Sequence, residues 1–215
     1  MADRGFSITR ILMGARKYAL LIVVVFHAVG LLLLGGPWRA ELVVLTPINL
    51  LLLGGLYLNS SASVDRPVLF AIPALFGFII EVIGVNTGFP FGIYEYSGIL
   101  GPRILETPIL IGLLWWVLVR ASYDVMGRFT GSTTLRSLGV GVIMTALDLL
   151  IEPVAIALNF WQWQDPVVPV ENYLAWFVCS TLFARITASG HATNVLSLSV
   201  LVVQFAFFAA LGIIL

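Results

Sequence analysis

Between Glu81 and Pro108 the chain reads E-V-I-G-V-N-T-G-F-P-F-G-I-Y-E-Y-S-G-I-L-G-P-R-I-L-E-T-P. An acid stands near the end of an apolar run of membrane-spanning length, and a loop dense in Gly, Pro, Phe and Tyr follows it. A carboxyl in hydrocarbon is costly and marks a functional site by default. An aromatic loop beside it can lid or line a pocket for an apolar molecule. The rest of the chain reads as scaffold for this stretch.

Outward from it, composition sets the solvent. Of 215 residues, 60% are hydrophobic and 10% charged, and the mean hydropathy is +1.05. A water-soluble domain cannot hide that much apolar surface, so the surroundings are largely lipid. Apolar runs at about 18–34, 42–58, 68–85, 108–123, 138–158, 173–186 and 195–215 read as spans, and in lipid such runs must be helices. The expected fold is all-α: one polytopic membrane bundle of about seven transmembrane helices over 1–215. A basic interfacial segment occupies 1–17, and the glycine- and aromatic-rich loop at 86–107 joins the third and fourth helices. Pro108 suits the first turn of the fourth. Arg120 and Asp124 blur its end and are expected to snorkel to the interface. The first run lacks a small-x-small cleavage site and reads as a retained span. No internal repeat is legible.

Charge orients the bundle. With a cytoplasmic N-terminus, the inner segments hold Arg4, Arg10, Arg16, Lys17, Arg66, Arg120, Arg128, Arg136 and Arg185, against Arg39 and Arg103 outside. Trp38, Trp161 and Trp163 then fall at the outer interface. The net charge is zero and the charges form no phosphate-binding stripe, so nucleic acid is not a partner. Cys179 is the only cysteine, which excludes a disulfide within the chain, and the two histidines, His27 and His191, make no metal-ligand set. The only lysine, Lys17, lies at the edge of the first span, which excludes a retinal Schiff base.

In this orientation Glu81 lies in the outer half of the third span. Asp148 and Glu152, four residues apart in D-L-L-I-E-P, share one face of the fifth. Glu171 and Asn172 open the sixth, with Trp176 a turn below. The intramembrane polarity thus gathers in the outer layer. Desolvation disfavours the anion, so a carboxyl in a dry pocket holds its proton and can act as general acid. With no cofactor motif present, protonation of an alkene is among the few reactions open to it. Aromatic faces stabilise the resulting tertiary cation, and a second carboxylate orients water. Glu81, Asp148 and Glu152 are the candidate acids. Tyr94, Tyr96, Trp161, Trp163 and Trp176 are candidate ring faces, and Phe89 and Phe91 cluster with the loop glycines for close approach to a ligand.

The strings N-T-G-F-P-F-G-I-Y-E-Y-S-G-I-L-G-P, D-L-L-I-E-P-V-A with F-W-Q-W, and V-P-V-E-N-Y-L-A-W-F resemble the membrane-embedded carotenoid 1,2-hydratases of the CruF type, bisanhydrobacterioruberin hydratases included. The resemblance spans roughly residues 81–176. It implies addition of water across the terminal C1–C2 double bond of an acyclic carotenoid such as lycopene, γ-carotene or a C50 precursor. It further implies a prokaryotic cytoplasmic membrane, no cofactor, and membrane lipid and other carotenoid-pathway enzymes as surroundings. Glu81, Tyr94, Tyr96, Asp148, Glu152, Pro153, Trp161, Trp163, Asn172 and Trp176 match the family's pattern, and Asn86 joins the substrate-binding set. Two positions depart from it: Glu106 stands where a small residue is expected, and Glu152 where aspartate is commoner. A cyclase or isomerase would share the protonation step. A proton-coupled transporter would need polar residues continuing through the inner half.

Overall fold

The computed structural model describes residues 3–60, 67–188 and 194–215, with side chains from 18 and, in the second segment, from 71 onward. Arg66, His191 and the side chains of Arg4, Arg10, Arg16 and Lys17 lie outside the described residues. Eight helices follow in order: α1 (Asp3–Leu34), α2 (Arg39–Leu42), α3 (Thr46–Ser60), α4 (Pro67–Thr87), α5 (Leu110–Met126), α6 (Thr133–Ala157), α7 (Val170–Ile186) and α8 (Ser197–Ile214). The stretches Arg39–Ser60, Thr133–Ala157 and Ser197–Ile214 are long and apolar enough to cross a membrane, and Tyr18–Leu34 and Ala71–Thr87 are shorter apolar helices. Leu21, Val142, Leu149, Leu182 and Val202 stand exposed on the outside. An exterior of this kind belongs in lipid.

Three expectations need correction. The fold is not purely helical: β1 (Tyr94–Tyr96) pairs antiparallel with β4 (Trp161–Trp163), and β2 (Arg103–Ile104) with β3 (Thr107–Pro108). Pro108 therefore closes a small hairpin ahead of α5 and is not in its first turn. From Asp3 onward the segment ahead of the first span is helical and continuous with it as far as Leu34.

Local chemistry explains the boundaries that matter to the site. The Ser132 side chain caps α6 by accepting from Leu135 N. At its other end Asn159 adopts φ 56° and Phe160 N donates to Ala155 O, a left-handed stop that asparagine tolerates. This turn throws the chain back across the bundle as β4.

The structure also contains the repeat that residue order conceals. The units α4–β1–α5 and α6–β4–α7 have the same plan: an acid one to two turns before the end of the first helix, an aromatic-x-aromatic strand, then a 17-residue helix. In the ladder Tyr94 faces Trp163, Glu95 faces Gln162 and Tyr96 faces Trp161. The shared plan matches the two units element by element. It relates Glu81 to Glu152 and Trp115 to Trp176, whose rings stack at 4.6 Å and 23° where α5 meets α7.

Candidate active site

Each unit builds a nest of donors around its own glutamate. Glu81, 4% exposed, accepts at Oε2 from the Tyr94 hydroxyl (2.6 Å) and the Tyr96 hydroxyl (2.8 Å), and at Oε1 from Trp115 Nε1 (3.0 Å). Glu152, 2% exposed, accepts at Oε2 from Trp163 Nε1 (2.8 Å) and Trp161 Nε1 (3.1 Å), and at Oε1 from Asn172 Nδ2 (3.4 Å). Period-two alternation puts both rings of each strand on the bundle side while Glu95 points away. Burial, followed by the charge of Glu81, pushes the Tyr94 and Tyr96 phenols well above their usual value, so both are fixed donors.

The second nest has an additional acid. Asp148, wholly buried one turn before Glu152, accepts at Oδ2 from Asn172 Nδ2 at 2.7 Å. Its Oδ1 is buried and has no partner. Asn172 thus bridges both carboxyls of α6. Four residues before Glu81 the first unit has Gly77, where an added Cβ would lie 2.4 Å from Trp115 Cγ. That vacancy lets the Trp115 indole reach Glu81.

Between the nests lies a cavity of about 30 Å³ lined by Glu81, Glu152, Asn172, Trp115, Trp176 and rings of the ribbon. It has room for about one or two waters. On the other side of β1 and β4 a vestibule of about 520 Å³ shares Tyr94, Tyr96 and Trp163 as its wall.

The structure brings together Glu81, Asp148, Glu152, Phe91, Tyr94, Tyr96, Trp161, Trp163, Asn172 and Trp176. It does not bring Asn86 or Phe89: Asn86 is exposed and braces the β2–β3 turn by donating to Leu105 O, and Phe89 is 71% exposed. Glu171 is also exposed. Trp161 and Trp163 both donate to a carboxylate, that of Glu152. Trp115 is a site residue the sequence reading missed, hidden in the apolar run of α5. Gly77 of α4, where a side chain would collide with its ring, is the sequence signal that could have found it.

A second polar cluster overturns the expectation that polarity gathers in one layer. Arg120 and Asp124 do not snorkel; both are 4% exposed and lie 3.4 Å apart. Asp124 Oδ2 accepts from the Ser197 hydroxyl (2.8 Å) and Asn194 N (3.0 Å), and Tyr57 packs against the pair through Ser197. Arg136, also buried, lies 4.0 Å over the Tyr123 ring. Between this cluster and the nests stand Val117, Leu118 and Val119 of α5 and Val140, Met144 and Leu147 of α6, each at most 1% exposed. The α5 and α6 side chains of that layer are apolar.

Fold and composition together mark a helical membrane protein with a cluster of buried acids. Residues 41–215 match the family described as carotenoid biosynthesis protein, and the chain belongs to that family. A bisanhydrobacterioruberin hydratase of Haloarcula japonica is 33% identical over 129 residues, covering 55% of this chain and 44% of the relative. The matched part is thus less than half of that protein's length. No solved structure matches the chain.

Proposed function

We propose that the protein hydrates the terminal C1–C2 double bond of an acyclic carotenoid. The observation that carries this reading is the pair of buried carboxyls, Glu81 and Glu152, on a water-sized cavity walled by aromatic rings, with Asp148 buried one turn behind Glu152. Protonation of C2 leaves a tertiary cation at C1. Water then adds its oxygen to C1 and gives a proton to a carboxylate, which is the net addition of one water. No oxidation state changes, so the stoichiometry calls for no electron carrier.

The same reading gives the substrate a path. A lipid-facing groove of about 260 Å³, lined by α1, α3 and α8 residues such as Phe26, Leu33, Leu50 and Phe207, has Phe160 in its wall, next in chain to Trp161 of the Glu152 nest. A polyene lying there would bring its end group beside the acids. The charge distribution supports a cytoplasmic N-terminus in a prokaryotic cytoplasmic membrane, with the β1–β4 ribbon on the outer side. The second polar cluster favours a transporter at first sight, but the apolar side chains of α5 and α6 between the clusters argue against it.

The test is expression in a lycopene-accumulating bacterial host, with pigments separated by chromatography and weighed by mass spectrometry. A product heavier by one water is expected. An isomer of unchanged mass would replace hydration by cyclisation.

A further inference from the structure

The plan shared by the two units makes the departures from it informative. Glu81 and Glu152, Trp115 and Trp176, and the two ring pairs of the ribbon are retained in both units. Asp148 and Asn172 are not: their images are Gly77 and Ile111. Only one half of the site therefore holds a pair of carboxyls bridged by an amide, and of the three site carboxyls Asp148 alone has a buried oxygen without a donor. Glu81, by contrast, is met by three donors, one of which, the indole of Trp115, can do nothing but donate. Three donors fit the anion.

We propose that the two halves divide the chemistry: the Asp148–Glu152 half moves protons, and Glu81, its image, is a fixed anion that holds the carbocation without exchanging a proton. This rests on the hydration reading and assigns roles within that site. The proton held by Asp148 reaches C2 through Glu152, which lines the cavity, as the π electrons of C1=C2 form the new C–H bond. The positive charge at C1 lies between the stacked Trp115 and Trp176 pair and the Glu81 carboxylate. Water bonds through oxygen to C1, and its released proton goes to Glu152. Transfer of that proton through a second water returns Asp148 to its starting form. Glu81 begins and ends unprotonated.

The discriminating probe is a cation mimic, an isoprenoid-chain tertiary amine whose ammonium nitrogen replaces C1, compared with the neutral hydrocarbon of the same shape. Binding to the purified full chain in lipid nanodiscs is read by quenching of tryptophan fluorescence, so no turnover is needed. Wild type should prefer the ammonium. Glu81→Gln should weaken ammonium binding by about ten- to a hundredfold, the range of a charge-assisted contact, and leave hydrocarbon binding unchanged. Asp148→Asn should abolish hydration yet retain the ammonium preference. Glu81→Asp, which keeps the charge, should restore most of that preference and covers the case in which the amide variant fails to fold. Equal loss of both ligands in Glu81→Gln, absence of any ammonium preference in wild type, or a larger loss in Asp148→Asn would each overturn the assignment. A protein that shows the preference but yields no hydrated pigment would keep the division of roles and lose the hydration reading.

Discussion

Gly84 lies one turn beyond Glu81 and gives the sharpest test of how the first nest is held. A Cβ placed there would come within 2.5 Å of Phe91 Cδ2 and 2.9 Å of the Tyr94 hydroxyl oxygen. Both neighbours are buried, at 1% and 7% exposure, so neither can swing into open space. Overpacking of this kind costs about 1–3 kcal/mol. Displacing Tyr94 also forfeits its 2.6 Å bond to Glu81, worth about 1.5–3 kcal/mol for a charged acceptor. Alanine returns up to about 1 kcal/mol through helix propensity. The balance for Gly84→Ala is a loss of about 2–5 kcal/mol, together with impaired turnover because Glu81 loses a donor. Gly55, in α3, supplies the control: a Cβ there meets nothing within 4 Å, so Gly55→Ala should gain about 0.5–1 kcal/mol. Denaturation of both purified variants, followed by near-ultraviolet dichroism, measures the difference. If Gly84→Ala proves as stable as Gly55→Ala, the packing of Phe91 and Tyr94 against α4 is refuted.

Two further outcomes follow from the loop segments. The β2–β3 turn carries Leu105 at φ 49° and Glu106 at φ 63°, two non-glycine residues in the left-handed region that a two-residue hairpin turn demands; replacing them with Asn-Gly should stabilise the fold by about 1 kcal/mol, since the Arg103–Glu106 pair that is lost is largely solvent-exposed. A fall in melting temperature would show that the pair outweighs the backbone strain. Tyr94 and Tyr96 hold their protons well above the ordinary phenol value near 10, so above about pH 10 the unfolded chain binds fewer protons than the folded one and stability falls as pH rises. The double variant Tyr94→Phe with Tyr96→Phe should show a shallower decline over that range, and an unchanged slope in alkaline melting curves would contradict this.

Much of the site was legible because its signals are local. The four-residue spacing of Asp148 and Glu152 survives folding unchanged, and an acid such as Glu81 in an apolar run declares itself. The helices also lie close to the runs read from hydropathy. What escaped required contacts between distant segments. Three residues of alternation cannot reveal a strand, so Y-E-Y and W-Q-W read as loop aromatics, and with the ladder unseen the repeat stayed hidden as well. The two units share geometry with few identities. Arg120 and Asp124 misled because a charge near the end of an apolar run ordinarily reaches water; here Ser197 and Asn194, from the far end of the chain, meet Asp124 inside. Asn86 and Phe89 were chosen by proximity in sequence, and the left-handed Gly88 that follows Asn86 begins the turn that leaves both outside.

The apolar layer formed by Val117, Leu118, Val119, Val140, Met144 and Leu147 bears on the cell's energy supply. A protein that keeps exchangeable protons in the middle of a bilayer is at risk of becoming an uncoupler, dissipating the gradient that drives ATP synthesis. With that layer intact, every proton given to the polyene would be drawn from, and returned to, one face of the membrane. The proposed hydration would then make no demand on the proton-motive force. A single acid introduced at Met144, by contrast, would put a stepping stone between the two polar clusters.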